Sequence, residues 1–332
     1  MADELELLRG ANPVPPDGPH FGDGPLDHGA ERRLERLLRE RPQGRPARRP
    51  LPVPGRPRLV WGLAATAVVA ALALTLVLSG PNTTPAVAAP RPLVVQTGTT
   101  AVPLGRLAAR AVQAAADGSP RLRKGTHVRS WSMGVSDREP PVTLPEERIV
   151  RWRADGSRTE LVVATDPGHP GRPVLSDEQG EPRLVGDAHV ISDRTYPPSW
   201  SDAPPQSRPP NDPARLRAYL TEAQYTRTAL TTPQLLDAVQ VLLDHWTLGA
   251  RETATLARLL AGTEGLRPVG QVTDRLGRRG QAYVCDGPGA RRMLIMDPAT
   301  GAVLGLETTF TTAEPEYGVK KGDVMSYSAW LR

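Results

Sequence analysis

A single cysteine, Cys285, stands in a chain of 332 residues. No disulfide can form within it, so an exported part must be held together by its own apolar core. Lysine is confined to Lys124, Lys320 and Lys321, which leaves the basic charge almost wholly to arginine. Phenylalanine occurs only twice, and the tryptophans and tyrosines must supply the bulky aromatic packing. Catalytic signatures are missing too. His20, His28, His127, His169, His189 and His245 show no HExxH spacing, and none stands beside the cysteine. GxSxG, GxxxxGK[ST] and a post-strand GxGxxG do not occur. These absences point away from an enzyme, a bound cofactor and a metal centre.

What the chain does have is an uncharged run from Leu59 to Leu78, LVWGLAATAVVAALALTLVL. At a rise of about 1.5 Å per residue, a helix of that length covers about 30 Å, the thickness of a bilayer's hydrocarbon core. Thr66 and Thr75 are its only hydroxyls, so no polar stripe marks a buried core helix. The run therefore predicts one transmembrane helix. Ala86-Val87-Ala88 resembles a small-residue cleavage site, and processing after Ala88 stays open as an alternative. Arg41, Arg45, Arg48, Arg49, Arg56 and Arg58 precede the run without an acid among them, and Arg91 is the first charge after it. Basic flanks stay in the cytoplasm, which predicts a single-pass protein of the cell membrane with its N-terminus inside and its C-terminal part outside.

The basic excess sits beside that run. Residues 1–58 hold 11 Arg against 9 acids, and the remainder 30 Lys and Arg against 27 acids. Anionic lipid headgroups explain a juxtamembrane Arg41–Arg58 cluster better than nucleic acid does. The expected partners are membrane lipid inside and, outside, a lipid, a peptide or an envelope protein.

Four segments follow from composition. Residues 1–58 read as a mostly disordered cytoplasmic tail with one short helix at 30–40, and 59–78 as the membrane helix. Residues 79–103 read as a Pro/Thr/Ala spacer, and 104–332 as an extracytoplasmic α+β domain. Within that domain, 104–116 predicts a helix and 126–135 a strand. Residues 147–164 predict a hairpin turning at Asp155-Gly156. Residues 165–210 form a long Pro-rich loop, with a strand at 183–191. Helices follow behind Asn211–Asp212, from Thr232 through Trp246, and over 252–260. Strands then close the chain, two of them linked by Asp297-Pro298-Ala299-Thr300-Gly301, with Leu304, Leu306, Thr308 and Phe310 expected on one face. The expected architecture is a curved antiparallel sheet packed against about three helices, attached to a single transmembrane helix. Trp131, Trp152, Phe310 and Trp330 are candidates to line the inner face of such a sheet and meet a ligand, the competing reading being ordinary core.

The start DELELLR, the Arg/Pro-rich stretch before one apolar run, LLDAV…LLDHW, RPVGQVTDRLGRRGQAYVCD and LIMDPATGAVLG together resemble a family of uncharacterised single-span membrane proteins of GC-rich bacteria. Its members are often associated with extracytoplasmic-function sigma factors. The terminal hairpins are similar, more weakly, to lipoprotein-carrier and sigma-regulator half-barrels. The resemblance implies a non-enzymatic binding or sensing domain outside the cell. The alternative is an anti-sigma-like regulator whose helix at 30–40 holds a cytoplasmic sigma factor, although the His-x3-Cys-x2-Cys zinc motif of many such domains is missing.

Overall fold

A computed structural model describes residues 90–135, 140–198, 201 and 203–332. The run 59–78, the tail with its helix at 30–40, the arginines between Arg41 and Arg58, and the Ala88 site all lie outside these residues.

The described chain begins with helix α1 (Leu104–Ala114) and continues into strands β1 (Arg123–Gly134), β2 (Val142–Trp152) and β3 (Arg158–Ala164). Short strands β4 (Val174–Ser176) and β5 (Arg183–Val185) pair with each other, and β6 (His189–Tyr196) returns to β3. Helices α2 (Pro213–Ala223) and α3 (Thr232–His245), strand β7 (Trp246–Thr247) and helix α4 (Ala250–Ala261) follow. The last part is a meander of β8 (Arg267–Thr273), β9 (Arg279–Gly287), β10 (Ala290–Met296), β11 (Val303–Phe310) and β12 (Val324–Leu331).

Local chemistry explains the helices. Asp212 accepts the Arg215 N–H at 2.9 Å and Pro213 fills the first turn of α2, whose own N–H would have no partner. In α3, Thr231 and Gln234 form a reciprocal capping box ahead of the buried stripe Leu235, Leu236, Val239, Leu242 and Leu243. In α1, Leu104, Leu107, Ala108 and Ala111 repeat at helical spacing and are all buried.

The strands form one ten-stranded antiparallel sheet in the order β6-β3-β2-β1-β12-β11-β10-β9-β8. Two meanders, one from each end of the chain, are zipped by the pairing of β1 with β12, for example Val128 with Trp330. Beyond the end of β12 the same edge of β1 is continued by β7, which pairs with Arg123–Gly125 across a bulge. All four helices bury their apolar stripes with Val128, Tyr283, Cys285, Leu294, Met296, Leu306 and Trp330 on one face. A smaller cluster, Trp131, Val272, Ala282, Ile295, Leu304, Tyr327 and Ala329, lies on the other.

Several expectations need correction. The fold was expected to combine one transmembrane helix with a curved sheet and about three helices. Among the described residues four helices lie against a sheet of ten strands, and no helix there is long and apolar enough to cross a membrane. The longest, α3, has 14 residues, and Gln234, Asp237, Gln240 and Asp244 interrupt its apolar surface. It also stops one residue early: Trp246 adopts extended backbone and opens β7. A bulge opposite Ile295/Met296 shifts the alternation of β11, so Leu304 joins the outer cluster while Leu306 joins the helix-side core.

The stretch read as spacer also differs, because Leu93 to Val102 is bound along the edge strand β8 and over the outer cluster. The Gln96 N–H donates to Gln271 O at 2.8 Å, the Gln271 N–H to Thr99 Oγ1 at 3.0 Å, and Tyr283 OH to Val102 O at 3.0 Å. The Leu93 N–H donates to the buried carboxylate of Glu307 at 2.8 Å, and Arg275 reaches the same carboxylate at 2.5 Å. Gly270, at φ +128°, permits this approach, since a Cβ there would stand 2.9 Å from both Thr99 Oγ1 and Val95 Cγ1. This strap covers an edge that would otherwise offer unpaired backbone groups.

Candidate functional site

The four aromatic candidates do not converge. Trp131 lies in the outer cluster, its ring 5.4 Å from that of Tyr327. Trp330 points to the opposite face, buried in the helix-side core, where its Nε1–H donates to Asp244 Oδ1 at 3.1 Å. Phe310 ends β11, half-buried and opposite Ala290. Trp152 is half-buried and lines a surface cleft. For Trp131 and Trp330 the core reading describes what their rings touch.

Trp152 belongs to a row of alternating rings and cations. Lys124 Nζ stands 3.8 Å from the centroid of Trp152 and 5.6 Å from that of Trp246. Arg158 Cζ stands 5.4 Å from Trp152 on the other side and 4.2 Å from Tyr196. The order Trp246, Lys124, Trp152, Arg158, Tyr196 thus crosses β7, β1, β2, β3 and β6. The sheet register produces it: Trp152 is paired with Arg158 across the hairpin, and Arg158 with Tyr196 across the next pair. Helix α3 packs against β1, β9 and β10. Further along the first meander Trp152, Arg158 and Tyr196 stay half-buried. Each cation–ring contact at such a site contributes about 0.5–1 kcal/mol, so the row is an ordered surface more than a source of stability.

Two clefts open beside the row. The first, of about 420 Å³, lies over the bulge in β1, with Gly125 in its floor and Arg123, Arg151, His127 and Arg332 around it. Gly125 sits at φ +111°, and a Cβ there would meet Val150 O at 2.4 Å, so no side chain can fill this floor. No carboxylate side chain is among the residues lining this cleft. Glu147, the acid adjoining His127, is held by His127 and by Arg129 at 3.3 Å. The second cleft, of about 690 Å³, runs under Trp246 and is mixed in charge, with Arg121, Arg208 and Arg251 facing Asp117 and Glu252. Its rim belongs to the Pro-rich loop, which is pinned in place. Trp246 Nε1–H donates to Pro205 O at 2.8 Å, and Tyr219 OH lies 2.9 Å from the same oxygen and 2.8 Å from Ser207 O. Burial pushes the Tyr219 hydroxyl up to about 12, which keeps it a neutral donor.

A polar cluster lies between the end of α3 and the middle of the first meander. Asp244, at the end of α3, faces Arg148 at 3.4 Å, and Arg148 faces Glu160 at 3.5 Å. Burial raises the Asp244 carboxyl above its ordinary range, against the pull of Arg148, and burial likewise lowers the neighbouring His245 imidazole. His245 Nδ1 lies 2.9 Å from Val241 O, one turn back, which makes it a helix-end residue. Among the described residues no group of three or more His, Cys, Asp or Glu could hold a metal ion.

Lys124, Arg158, Tyr196 and Trp246 escaped the sequence reading. One signal was available for Arg158: a hairpin turning at Asp155-Gly156 brings the residues that flank the turn, Trp152 and Arg158, opposite each other. Tyr196 and Trp246 come from distant segments, and nothing local foretells their place in the row. No protein-family model matches the chain, and no curated protein is similar to it.

Proposed function

We propose that the described part of the chain is a non-enzymatic binding or sensing domain whose ligand lies along the row from Trp246 to Tyr196 and in the cleft beside it. The observation that carries this reading is the row itself, three rings alternating with two cations across five strands, with Trp152, Arg158 and Tyr196 half-buried. Ring faces and a guanidinium fork are groups for holding a partner, not for reacting with it. A lipid, a peptide and an envelope protein are the partners this reading admits. The charge asymmetry around residues 59–78, with the family resemblance, supports placing the domain on the outer side of the cell membrane.

Tryptophan fluorescence of the full chain tests the binding reading. Titration with neutral lipid, peptide and glycan fractions of the envelope should give a saturable change that Trp152→Ala removes and Phe310→Ala leaves intact. A response equal in wild type and Trp152→Ala would remove the row from the reading. Protease added to intact cells tests the compartment, since the C-terminal half should be cut.

A further inference from the structure

The cleft over Gly125 has a composition that narrows its ligand. Arg151 lies directly across the ladder from Gly125, and Arg123 begins the same strand two residues earlier. Neither makes an ion pair among the described residues. Arg332 closes the far side, its Nη2 donating to Thr253 Oγ1 at 3.0 Å. Two exposed arginines, Arg123 and Arg151, therefore line a concave space of about 420 Å³ together with Lys124, with no acidic side chain in the lining and no side chain at Gly125. Solvated surface arginines usually point apart over a convex surface. Here Arg123 and Arg151 border one cleft beside the bulge in β1, where low-dielectric walls concentrate their field.

We infer that this cleft binds a compact, multiply charged anion of the phosphate or pyrophosphate class, presented by a soluble molecule or by a lipid headgroup. The inference rests on the binding reading above and names the ligand chemistry of the same site. A lone carboxylate would neutralise one of the two guanidiniums and leave the other without a counter-charge. A phosphate group carries more charge in a smaller volume and accepts the paired N–H bonds of the guanidinium fork from several directions. The open floor at Gly125 lets such a group settle close to the backbone.

Calorimetric titration of the full chain with inorganic tripolyphosphate at low salt tests this. Saturable binding should weaken as salt rises, and should fall at least about tenfold in Arg123→Ala/Arg151→Ala, a loss of about 1.4 kcal/mol or more. Arg258→Ala, on α4 and outside the cleft, should leave it unchanged. Both cleft arginines are exposed, so the double variant should melt as wild type does. Flotation with phosphatidylcholine vesicles, with and without phosphatidylglycerol, separates the sources. Arginine-dependent flotation only with the anionic lipid assigns a headgroup, and tripolyphosphate binding without flotation assigns a soluble phosphate. An equal loss in Arg258→Ala, or binding of neither probe, overturns the inference. In the latter case a Trp152-dependent response to a neutral fraction keeps the binding reading standing, and its absence removes both.

Discussion

Replacing Glu307 by alanine should free the strap. The Glu307 side chain is 1% exposed and accepts from Arg275, itself 13% exposed, and from the Leu93 N–H. Burial raises its carboxyl above the ordinary range despite the adjacent guanidinium, so desolvation outweighs what the pair returns. Two consequences follow. Removing the carboxylate alone leaves a buried guanidinium and a backbone N–H without their acceptor, a loss of about 3–5 kcal/mol. Removing both charges, as Glu307→Leu/Arg275→Met, should cost far less than the two single changes summed, because no uncompensated ion remains. Urea denaturation followed by tryptophan fluorescence measures both, since Trp131 lies against Tyr327 in the same cluster. With a slope of about 2 kcal/mol per molar, the single variant should shift the midpoint by about 2 M. Amide exchange at Leu93 and Gln96 should accelerate in step. A single variant within about 1 kcal/mol of wild type, or a double variant as costly as the sum, would refute the argument.

Gly270→Val should displace the same strap from the other end, because its Cβ would meet Thr99 and Val95 at 2.9 Å and its φ of +128° disfavours any side chain; exchange at Gln96 should rise with a loss of about 1–3 kcal/mol. Burial raises the carboxyls of Glu146, Asp244 and Glu307, so their contribution is complete below the ordinary carboxylate range and shrinks as pH rises through the raised values. Hydrogen bonds from Ser157, Thr165 and Arg291 lower Asp155, Asp187 and Asp286, whose contribution is instead lost as pH falls below the ordinary range. Burial lowers His245, whose contribution runs the other way and is lost as pH falls below its ordinary range, so the test is made in His245→Gln. There melting temperature should be higher near about pH 5 than near about pH 8, and adding Asp244→Asn should flatten that slope; a steady rise towards alkaline pH would contradict the assignment. Cys285 is buried, and burial raises its thiol, so a disulfide reagent should modify it only as fast as the domain opens. Leu242→Ala, at a fully buried position of α3, should cost about 2–5 kcal/mol in the same urea experiment.

Local signals made part of this fold legible. Asp155-Gly156 marks a real hairpin, Asp212-Pro213 and Thr232-Pro233 open real helices, and Asp297 accepts the Ala299 and Thr300 N–H groups in the turn read from DPATG. Features settled by distant partners were not legible. Leu304 changes face because of a bulge that periodicity does not record, and Trp246 leaves its helix to pair with Lys124 and Gly125. Pro/Thr/Ala composition reads as spacer, yet the strap is bound through backbone groups that composition does not reveal. The site was the least legible part. Aromatic residues could be listed, but only register says which of them meet a cation and which meet the core.

The pairing of β1 with β12 sets a timetable for biogenesis. The central strand of the sheet is made after all the sheet's other strands, and its partner emerges about 190 residues earlier. At about 5–20 residues per second, β1 waits on the order of 10–40 s with one edge bare. The first meander therefore exists for that interval as an incomplete, sticky intermediate. Shielding by a chaperone would protect it over that interval, and removal of Val324–Leu331 would leave two half-sheets with nothing to join them.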